Sequence, residues 1–455
     1  MEQREHLASR LGFLLLSAGC AIGLGNVWRF PFITGKYGGA VFLAVYLLFL
    51  LFMGLPILIM EFSVGRASRR NMSKAFKVLE PEGTKWHWLG WFSPVGSYIL
   101  MMFYMPVAGW MLYYMFSTAM GTLSVPVEQV PNVFTGMLGN PWLMLFWTVV
   151  VSLFCFYICS MGLQKGVERV VKWMMAGLLF IMIGLAIYAV SLPGAVKGLE
   201  FYLIPDFQRA WDAGILSLIN DAMNQAFFTL SIGIGSMCIF GSYLNKNNTL
   251  TKESAFIVSL DTFVALTAGF IIFPACFAFG VTPNAGPGLI FITLPNVFNA
   301  MPYGQVWGTL FFIFMSAAAL TTVIAVLENI ISYFMDNQGW SRKKSVVFNA
   351  ITLTLLTLPC ILGFNEWSGF QPLGEGSSIL DLEDFIISNN LLPLGSLFYC
   401  LFCCSRYGWG WDNFIAEADE GAGLKFPQFL RFYLTKILPV VMLIIFAQGY
   451  IQKFM

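Results

Sequence analysis

The sequence predicts an all-α polytopic membrane protein: eleven transmembrane helices, forming two inverted five-helix repeats with helices 1 and 6 broken at mid-membrane, plus an eleventh helix. Three observations predict it. The 455-residue chain is 58% hydrophobic and 11% charged with a mean hydropathy of +0.74, far too apolar for a water-soluble protein. Its apolar runs recur at lengths that cross about 30 Å of hydrocarbon at about 1.5 Å per residue. The first and sixth runs share an interruption by glycine, and a repeat length of five, being odd, forces the second copy to enter the membrane inverted.

In chain order the runs fall at 11–35, 40–68, 89–122, 140–160, 167–192, 214–246, 253–282, 306–335, 344–364, 380–405 and 427–451. They form one transmembrane domain over 1–455, with repeats at 8–192 and 214–405 and an additional helix at 427–451. The first run contains Gly19-Cys20-Ala21-Ile22-Gly23-Leu24-Gly25-Asn26, three glycines in seven residues. Each glycine costs about 1 kcal/mol relative to alanine inside a helix. Backbone freed at mid-depth is tolerated only against protein or a watery cavity, where carbonyls hold a cation and amides an anion. The break is therefore a candidate binding site, and the plainer alternative is a glycine-mediated helix contact. The sixth run repeats the pattern at Phe227-Phe228-Thr229-Leu230-Ser231-Ile232-Gly233-Ile234-Gly235. The 283–305 stretch, with Pro283, Pro287 and Pro295 among apolar residues, predicts a lid folded over the outer face.

Loop charge orients the chain. The 69–88 loop holds Arg69, Arg70, Lys74, Lys77 and Lys85, and later loops of the same side hold Lys165 with Arg169, Lys246 with Lys252, Arg342 with Lys343 and Lys344, and Arg406 with Lys425. Intervening loops at 123–139, 283–305 and 365–379 hold none, Lys197 and Arg209 being the exceptions. This predicts a cytoplasmic N-terminus and an external Met455. The polar start MEQREHLASR leads into the first run without a small-residue cleavage site, so no removable signal peptide is expected. Net charge of +1 with no basic tail argues against a nucleic-acid partner. The nine cysteines lie in apolar runs and read as small buried hydrophobes; Cys400-x-x-Cys403-Cys404 has no His or acid nearby and does not make a metal pair.

Polar residues inside the runs are functional candidates. Asn26 lies in run one, Tyr104 in three, Thr229 and Ser231 in six, Asp261 in seven, and Thr321 and Thr322 in eight. Neutral oxygens with one carboxylate suit a hard monovalent cation, and the two histidines, His6 and His87, both lie outside the runs. A lone hydroxyl more often bonds its own i−4 carbonyl. Two glycine breaks meeting these residues reverse that expectation.

The motifs RLGFLL-x4-CAIGLGNVWRFP, FYMPVAGW, QAFFTLSIGIG and ALTT resemble the neurotransmitter:sodium symporter family, nearest its bacterial sodium-dependent amino-acid transporters, the leucine transporter among them. The likeness covers nearly the whole chain, from Arg4-Glu5-His6 to Ser341-Arg342-Lys343 and beyond. It implies a first sodium held by the Ala21 carbonyl, Asn26, Thr229, Asp261 and the substrate carboxylate. It implies a second held by the carbonyls of Gly19, Ile22 and Ala318 and the hydroxyls of Thr321 and Thr322. The substrate carboxylate would take the Tyr104 hydroxyl and the amides near Leu24 and Gly25; its amine would take carbonyls of Ala21, Phe228 and Thr229, with Ser231 nearby. Leu100, Val107, Phe228, Ile234 and Val326 would surround the side chain. Arg29 with Asp384 matches the outer gate, and Arg4 with Asp336, supported by Tyr243, the inner one. Glu61 would bond the unwound backbone of run six.

The same resemblance implies sodium-coupled symport of a neutral, hydrophobic L-amino acid by alternating access, with two sodium ions as cargo, in a bacterial plasma (inner) membrane, and no enzymatic activity. Gly23 stands where monoamine-transporting relatives carry an aspartate, so a zwitterion is expected rather than a plain amine. Asp261 stands where many relatives carry asparagine: it supplies a negative charge beside the first sodium, so chloride is expected to be dispensable, and it allows proton counter-transport. Ala176 stands where several relatives have proline, which puts unwinding of helix 5 in doubt. Many eukaryotic members have twelve spans and paired cysteines in the second outer loop, and this sequence has neither feature. A proton-coupled carrier using Asp261 and a non-transport membrane receptor are the alternatives; the receptor would need a signalling domain that the sequence does not display.

Overall fold

The computed structural model describes residues 6–281 and 288–454. Among them, nine helices are long and apolar enough to cross a membrane: α2 (Ala40–Ser68), α3 (Trp86–Ala119), α4 (Pro141–Ser160), α5 (Leu163–Ser191), α7 (Leu250–Ala278), α8 (Gly304–Gln338), α9 (Arg342–Leu362), α10 (Ile379–Cys404) and α11 (Gln428–Ile451). A tenth, α1, is a bent pair, α1a (Arg10–Ala21) and α1b (Gly25–Lys36), with 52° between its halves. The sixth run forms α6a (Ile215–Thr229) and α6b (Ser236–Tyr243), of 15 and 8 residues. At about 1.5 Å per residue neither half spans a bilayer alone.

Local chemistry sets the helix ends. Ser9 caps α1a by accepting from the Gly12 amide at 3.0 Å, Asn140 caps α4 ahead of Pro141, and Ser378 with Asp381 forms a capping box on α10. Arg69 at φ 56° stops α2, and Gly339 at φ 65° stops α8. α5 runs unbroken from Leu163 through Ala176, directly after Gly162. In the stretch expected as a lid, Leu289–Ala300 is a helical segment whose Leu289, Phe291 and Leu294 are buried; Phe291 packs on Trp110 at 5.8 Å and on Phe134 at 5.0 Å. Pro283 and Pro287 lie outside the described residues.

Close backbone crossings position α6b. A Cβ on Gly65 of α2 would stand 1.9 Å from the Cys238 carbonyl oxygen, and one on Gly241 of α6b 2.5 Å from that of Phe62. These two glycines let α2 and α6b touch backbone to backbone, the small-residue contact that replaces hydrophobic packing where lipid is the solvent. α8 is the most enclosed of the long helices, with α3, α5 and α1 packed around it. α1 and α6 therefore sit inside a shell of longer helices, and their breaks face protein.

Candidate functional site

In α1 the helical ladder ends with the Ile22 amide on the Ala18 carbonyl at 2.6 Å, after which Ile22 turns extended (ψ 98°). The next two amides go to side chains: Gly23 donates to Asn26 Oδ1 at 3.0 Å and Leu24 to the Tyr104 hydroxyl at 2.9 Å. In α6 the gap at 230–235 holds Ser231 at φ 51°, Gly233 at φ 96° and Gly235 at φ 81°. Glu61 of α2 accepts the amides of Gly233 (2.9 Å), Met237 (3.1 Å) and Cys238 (3.3 Å). A carboxylate thus sits on the N-terminus of α6b, where the helix dipole and the orphan amides favour it. The two breaks are tied directly: Ser231 Oγ donates to the Cys20 carbonyl at 3.1 Å, and Gln225 Nε2 to the Gly25 carbonyl at 2.9 Å.

Two oxygen clusters flank the breaks. In the first, Asn26, Thr229 and Asp261 are all fully buried. Asn26 Nδ2 lies 3.0 Å from Thr229 Oγ1, 2.8 Å from Asp261 Oδ1 and 3.2 Å from the Asp261 carbonyl, and Thr229 Oγ1 lies 3.0 Å from Asp261 Oδ2. The asparagine NH2 occupies the centre of these oxygens, so Asn26 becomes an oxygen ligand only if its amide turns over. Asp261 has only neutral donors and no ion-pair partner among the described residues. A buried carboxylate without a countercharge is costly, and a cation among these oxygens relieves that cost. In the second cluster, Thr322 Oγ1 lies 3.3 to 3.4 Å from the carbonyls of Gly19, Cys20, Ile22 and Ala318, while Thr321 Oγ1 donates to Ala318 at 3.0 Å. One hydroxyl proton serves one of four carbonyls at a time, which leaves converging acceptors of the kind that coordinate a hard cation.

Between the breaks lies a nearly closed cavity of about 10 Å³, room for about one water, which must widen to admit a larger molecule. Of the residues the sequence assigns to a substrate, Ala21, Gly25, Leu100, Tyr104, Phe228, Ser231 and Ile234 line it. Leu24, Val107, Thr229 and Val326 are buried but are not part of the lining; the Leu24 amide turns to Tyr104 and the Thr229 hydroxyl to Asp261. Sequence reasoning missed Cys20, Ile387 and Leu392 as lining residues. The signal for the last two was present: positions 387 and 392 follow the gate residue Asp384 by three and eight, on one helical face of α10.

Where α1b meets α10, Arg29 Nη1 donates to Ser388 Oγ at 2.8 Å, Ser388 donates to Asp384 Oδ1 at 2.7 Å, and the charged pair itself is 3.7 Å apart. Arg29 also lies 4.9 Å over the Phe228 ring, which roofs the cavity. At the end of α8, Asp336 accepts the backbone amide of Asn71 at 3.0 Å and its side-chain amide at 2.9 Å, with Arg70 at 3.9 Å. Arg4 lies outside the described residues. The Tyr243 hydroxyl donates to Glu328 at 2.9 Å, and Glu328 is paired with Arg342 at 2.8 Å, a buried ion pair the sequence did not announce.

Comparison with known proteins bears on this geometry. The model of the sodium:neurotransmitter symporter family matches residues 4–135 and 133–454. An uncharacterised sodium-dependent transporter of Bacillus subtilis, YhdH, is 34% identical over 96% of either chain, and another from Haemophilus influenzae is 33% identical over 98% of either. The crystal structure of MhsT in complex with L-phenylalanine is 38% identical in sequence and matches the fold with a TM-score of 0.89, over 98% of this chain and 100% of that one. The likeness runs from end to end in both sequence and fold, and the chain accordingly belongs to the sodium:neurotransmitter symporter family, as a sodium-dependent membrane transporter and not an enzyme.

Proposed function

We propose that the protein couples uptake of a neutral, apolar L-amino acid to sodium by alternating access around α1 and α6. The observation that carries this reading is the α1 break itself, which offers one cavity a Tyr104–Leu24 hydroxyl–amide pair on one side and the converging carbonyls around Thr322 on the other. An L-amino acid placed there exchanges its carboxylate for the Tyr104 contact at the positive end of α1b, and its amine meets the free carbonyls of the two breaks. The first sodium takes Asn26, Thr229, Asp261 and the Ala21 carbonyl, with the substrate carboxylate as a further ligand. The second takes the carbonyls of Gly19, Ile22 and Ala318 with Thr321 and Thr322. Leu100, Phe228, Ile234, Ile387 and Leu392 present no charge to the side chain, so lysine and glutamate are excluded by desolvation.

In this reading α6a and α6b together form one span, which makes eleven in all, with inverted repeats at 8–192 and 214–405 and a cytoplasmic N-terminus in a bacterial inner membrane. Asp261 makes chloride dispensable and permits proton counter-transport. The neighbour solved with L-phenylalanine supports an apolar substrate of branched-aliphatic or aromatic size. Because Asp261 has no cationic partner among the described residues, a proton-coupled carrier is the second reading, and one experiment separates the two. Uptake of labelled leucine and phenylalanine into proteoliposomes should require an inward sodium gradient and persist without chloride or a proton gradient. Tryptophan should compete and glycine compete weakly; lysine, glutamate, tyramine and isoamylamine should not. An amine lacking the carboxylate leaves buried donors unpaired at about 1 to 3 kcal/mol each, so amino acids should win by more than about tenfold. Uptake driven by protons alone, or tight sodium-dependent binding of either amine, overturns the proposal.

A further inference from the structure

Away from the central cavity, a cleft of about 670 Å³ opens at the edge of the helical body where α10 ends and α11 begins. Arg406 from the end of α10 and Arg431 and Lys436 from the start of α11 line it, against one carboxylate, Asp412. Arg406 donates to the Tyr407 hydroxyl at 2.6 Å and Arg431 lies 5.7 Å over the Trp411 ring, but no carboxylate among the described residues closely neutralises any of the three. Lys436 has no hydrogen bond or ion pair among the described residues, and Arg431 reaches Asp412 only at 4.0 Å, with the two side chains 60% and 92% exposed. A pair so exposed contributes little. Two buried hydroxyls in the lining, Ser405 Oγ and Thr435 Oγ1, have no hydrogen-bond partner among the described residues. The cleft is therefore built for a polyanion with several acceptor oxygens.

What stands beside the cleft narrows the class of anion. Phe429 and Phe432, on the first turns of α11, are 83% and 69% exposed, and Ile437 one turn on is exposed as well. Tyr407 and Trp409 close the polar side with amphipathic rings of the type that sit at a membrane boundary. An ion from solution has no use for an adjoining apolar strip, whereas a phospholipid lays its phosphate in the cleft and its acyl chains along α11. We propose that this cleft binds the headgroup of an anionic phospholipid, preferring a headgroup with two phosphates, because three cationic side chains face a single carboxylate. Arginine forks match phosphate oxygens in pairs.

The test uses the purified full-length protein and native mass spectrometry or fluorescent-lipid titration with cardiolipin, phosphatidylglycerol and phosphatidylcholine. Affinity should fall in that order. Each of Arg406→Gln, Arg431→Gln and Lys436→Gln should weaken cardiolipin about fivefold, the equivalent of about 1 kcal/mol per basic residue at a membrane surface, and the triple variant about a hundredfold. Lys77→Gln, outside the cleft, should change nothing. Equal affinity for phosphatidylcholine, or unchanged affinity in the triple variant, overturns the proposal. Displacement of cardiolipin by millimolar inorganic phosphate or glycerol phosphate overturns the lipid assignment in favour of a soluble-anion site. Should the triple variant fail to bind amino-acid tracer and thus prove misfolded, Arg431→Gln and a salt titration of the unaltered protein decide: cardiolipin affinity that does not fall between low and high salt refutes a charge-built site.

Discussion

A Cβ built on Gly23 would stand 2.4 Å from the Tyr104 hydroxyl and 2.6 Å from Thr322 Oγ1, so any side chain there pushes apart the Tyr104 hydroxyl and the hydroxyl at the centre of the second oxygen cluster. Gly23→Asp should therefore abolish tracer amino-acid binding rather than convert the protein to an amine carrier; binding within threefold of the original would show that the cavity opens more readily than its packing suggests. Thr322→Val keeps the volume and removes the oxygen. The loss of one ligand oxygen, worth about 1 kcal/mol, should raise the sodium concentration for half-maximal leucine binding by roughly fivefold. Leucine affinity itself should fall in parallel at fixed sodium, because coupling between two ligands is reciprocal. A sodium response left intact in equilibrium binding assays would remove Thr322 from the ion site. Asp261→Asn tests the charge count: uptake should drop in chloride-free buffer and recover at least in part with chloride. Uptake by the unaltered protein that already depends on chloride would contradict the role assigned to this carboxylate.

The α6 break is an element-scale device, maintained by Glu61 from outside and by glycine from within. Gly233 holds φ 96° with the Leu392 carbonyl 2.4 Å from where a Cβ would go, so Gly233→Ala meets both backbone strain and a clash. Glu61→Gln replaces a double acceptor by a group with one acceptor and one donor, which leaves at least one of three amides unpaired. It should destabilise the protein by about 1 to 3 kcal/mol, read as a lower midpoint in thermal unfolding with tracer-binding readout. An unchanged midpoint would mean that water replaces the carboxylate there. This scale also shows what the sequence makes legible. A run that must cross hydrocarbon announces its own length, and the expected 40–68, 140–160 and 427–451 fall within one residue of α2, α4 and α11. α3 begins earlier than expected, at Trp86, because the tight turn Trp86–Trp91 is rich in tryptophan and reads as interface rather than helix. The breaks were legible because glycine weakens a helix and a buried polar group is costly in hydrocarbon, so the two together in a membrane run single out backbone that binds something. Ser388, which bridges Arg29 and Asp384, and the Glu328–Arg342 pair were not, because depth in the membrane and rotation about a helix axis are settled by packing between distant segments.

Over the whole molecule, α1b is clasped to α10 through Arg29, Ser388 and Asp384 at one end of the cavity, the outer end in the proposed orientation, and at the other the end of α8 is clasped to the segment after α2 through Asp336, Asn71 and Arg70. Transport needs these two closures to open in alternation, so each clasp biases one equilibrium between states, and a variant shifts populations only by the interaction it removes. The protein carries its own reporter. All nine cysteines are buried, and Cys20 alone among them lines the cavity, next to both breaks. A membrane-impermeant thiol reagent reaches Cys20 from outside only through an opened outer clasp and from inside only through an opened inner one. Arg29→Ala removes a partly exposed pair and its serine bridge, worth about 1 kcal/mol, and should raise the rate of Cys20 modification from the external face roughly fivefold. Asp336→Ala, which removes the acceptor of the inner clasp, should do the same from the cytoplasmic face in inverted vesicles. In each case saturating leucine with sodium should slow the reaction, and Cys20→Ala should abolish the signal. Equal acceleration from both faces by either variant would mean that the substitution loosens the bundle rather than one clasp. No acceleration in either variant would leave the clasps as bystanders and place the barrier to opening in the packing of α1 and α6 themselves.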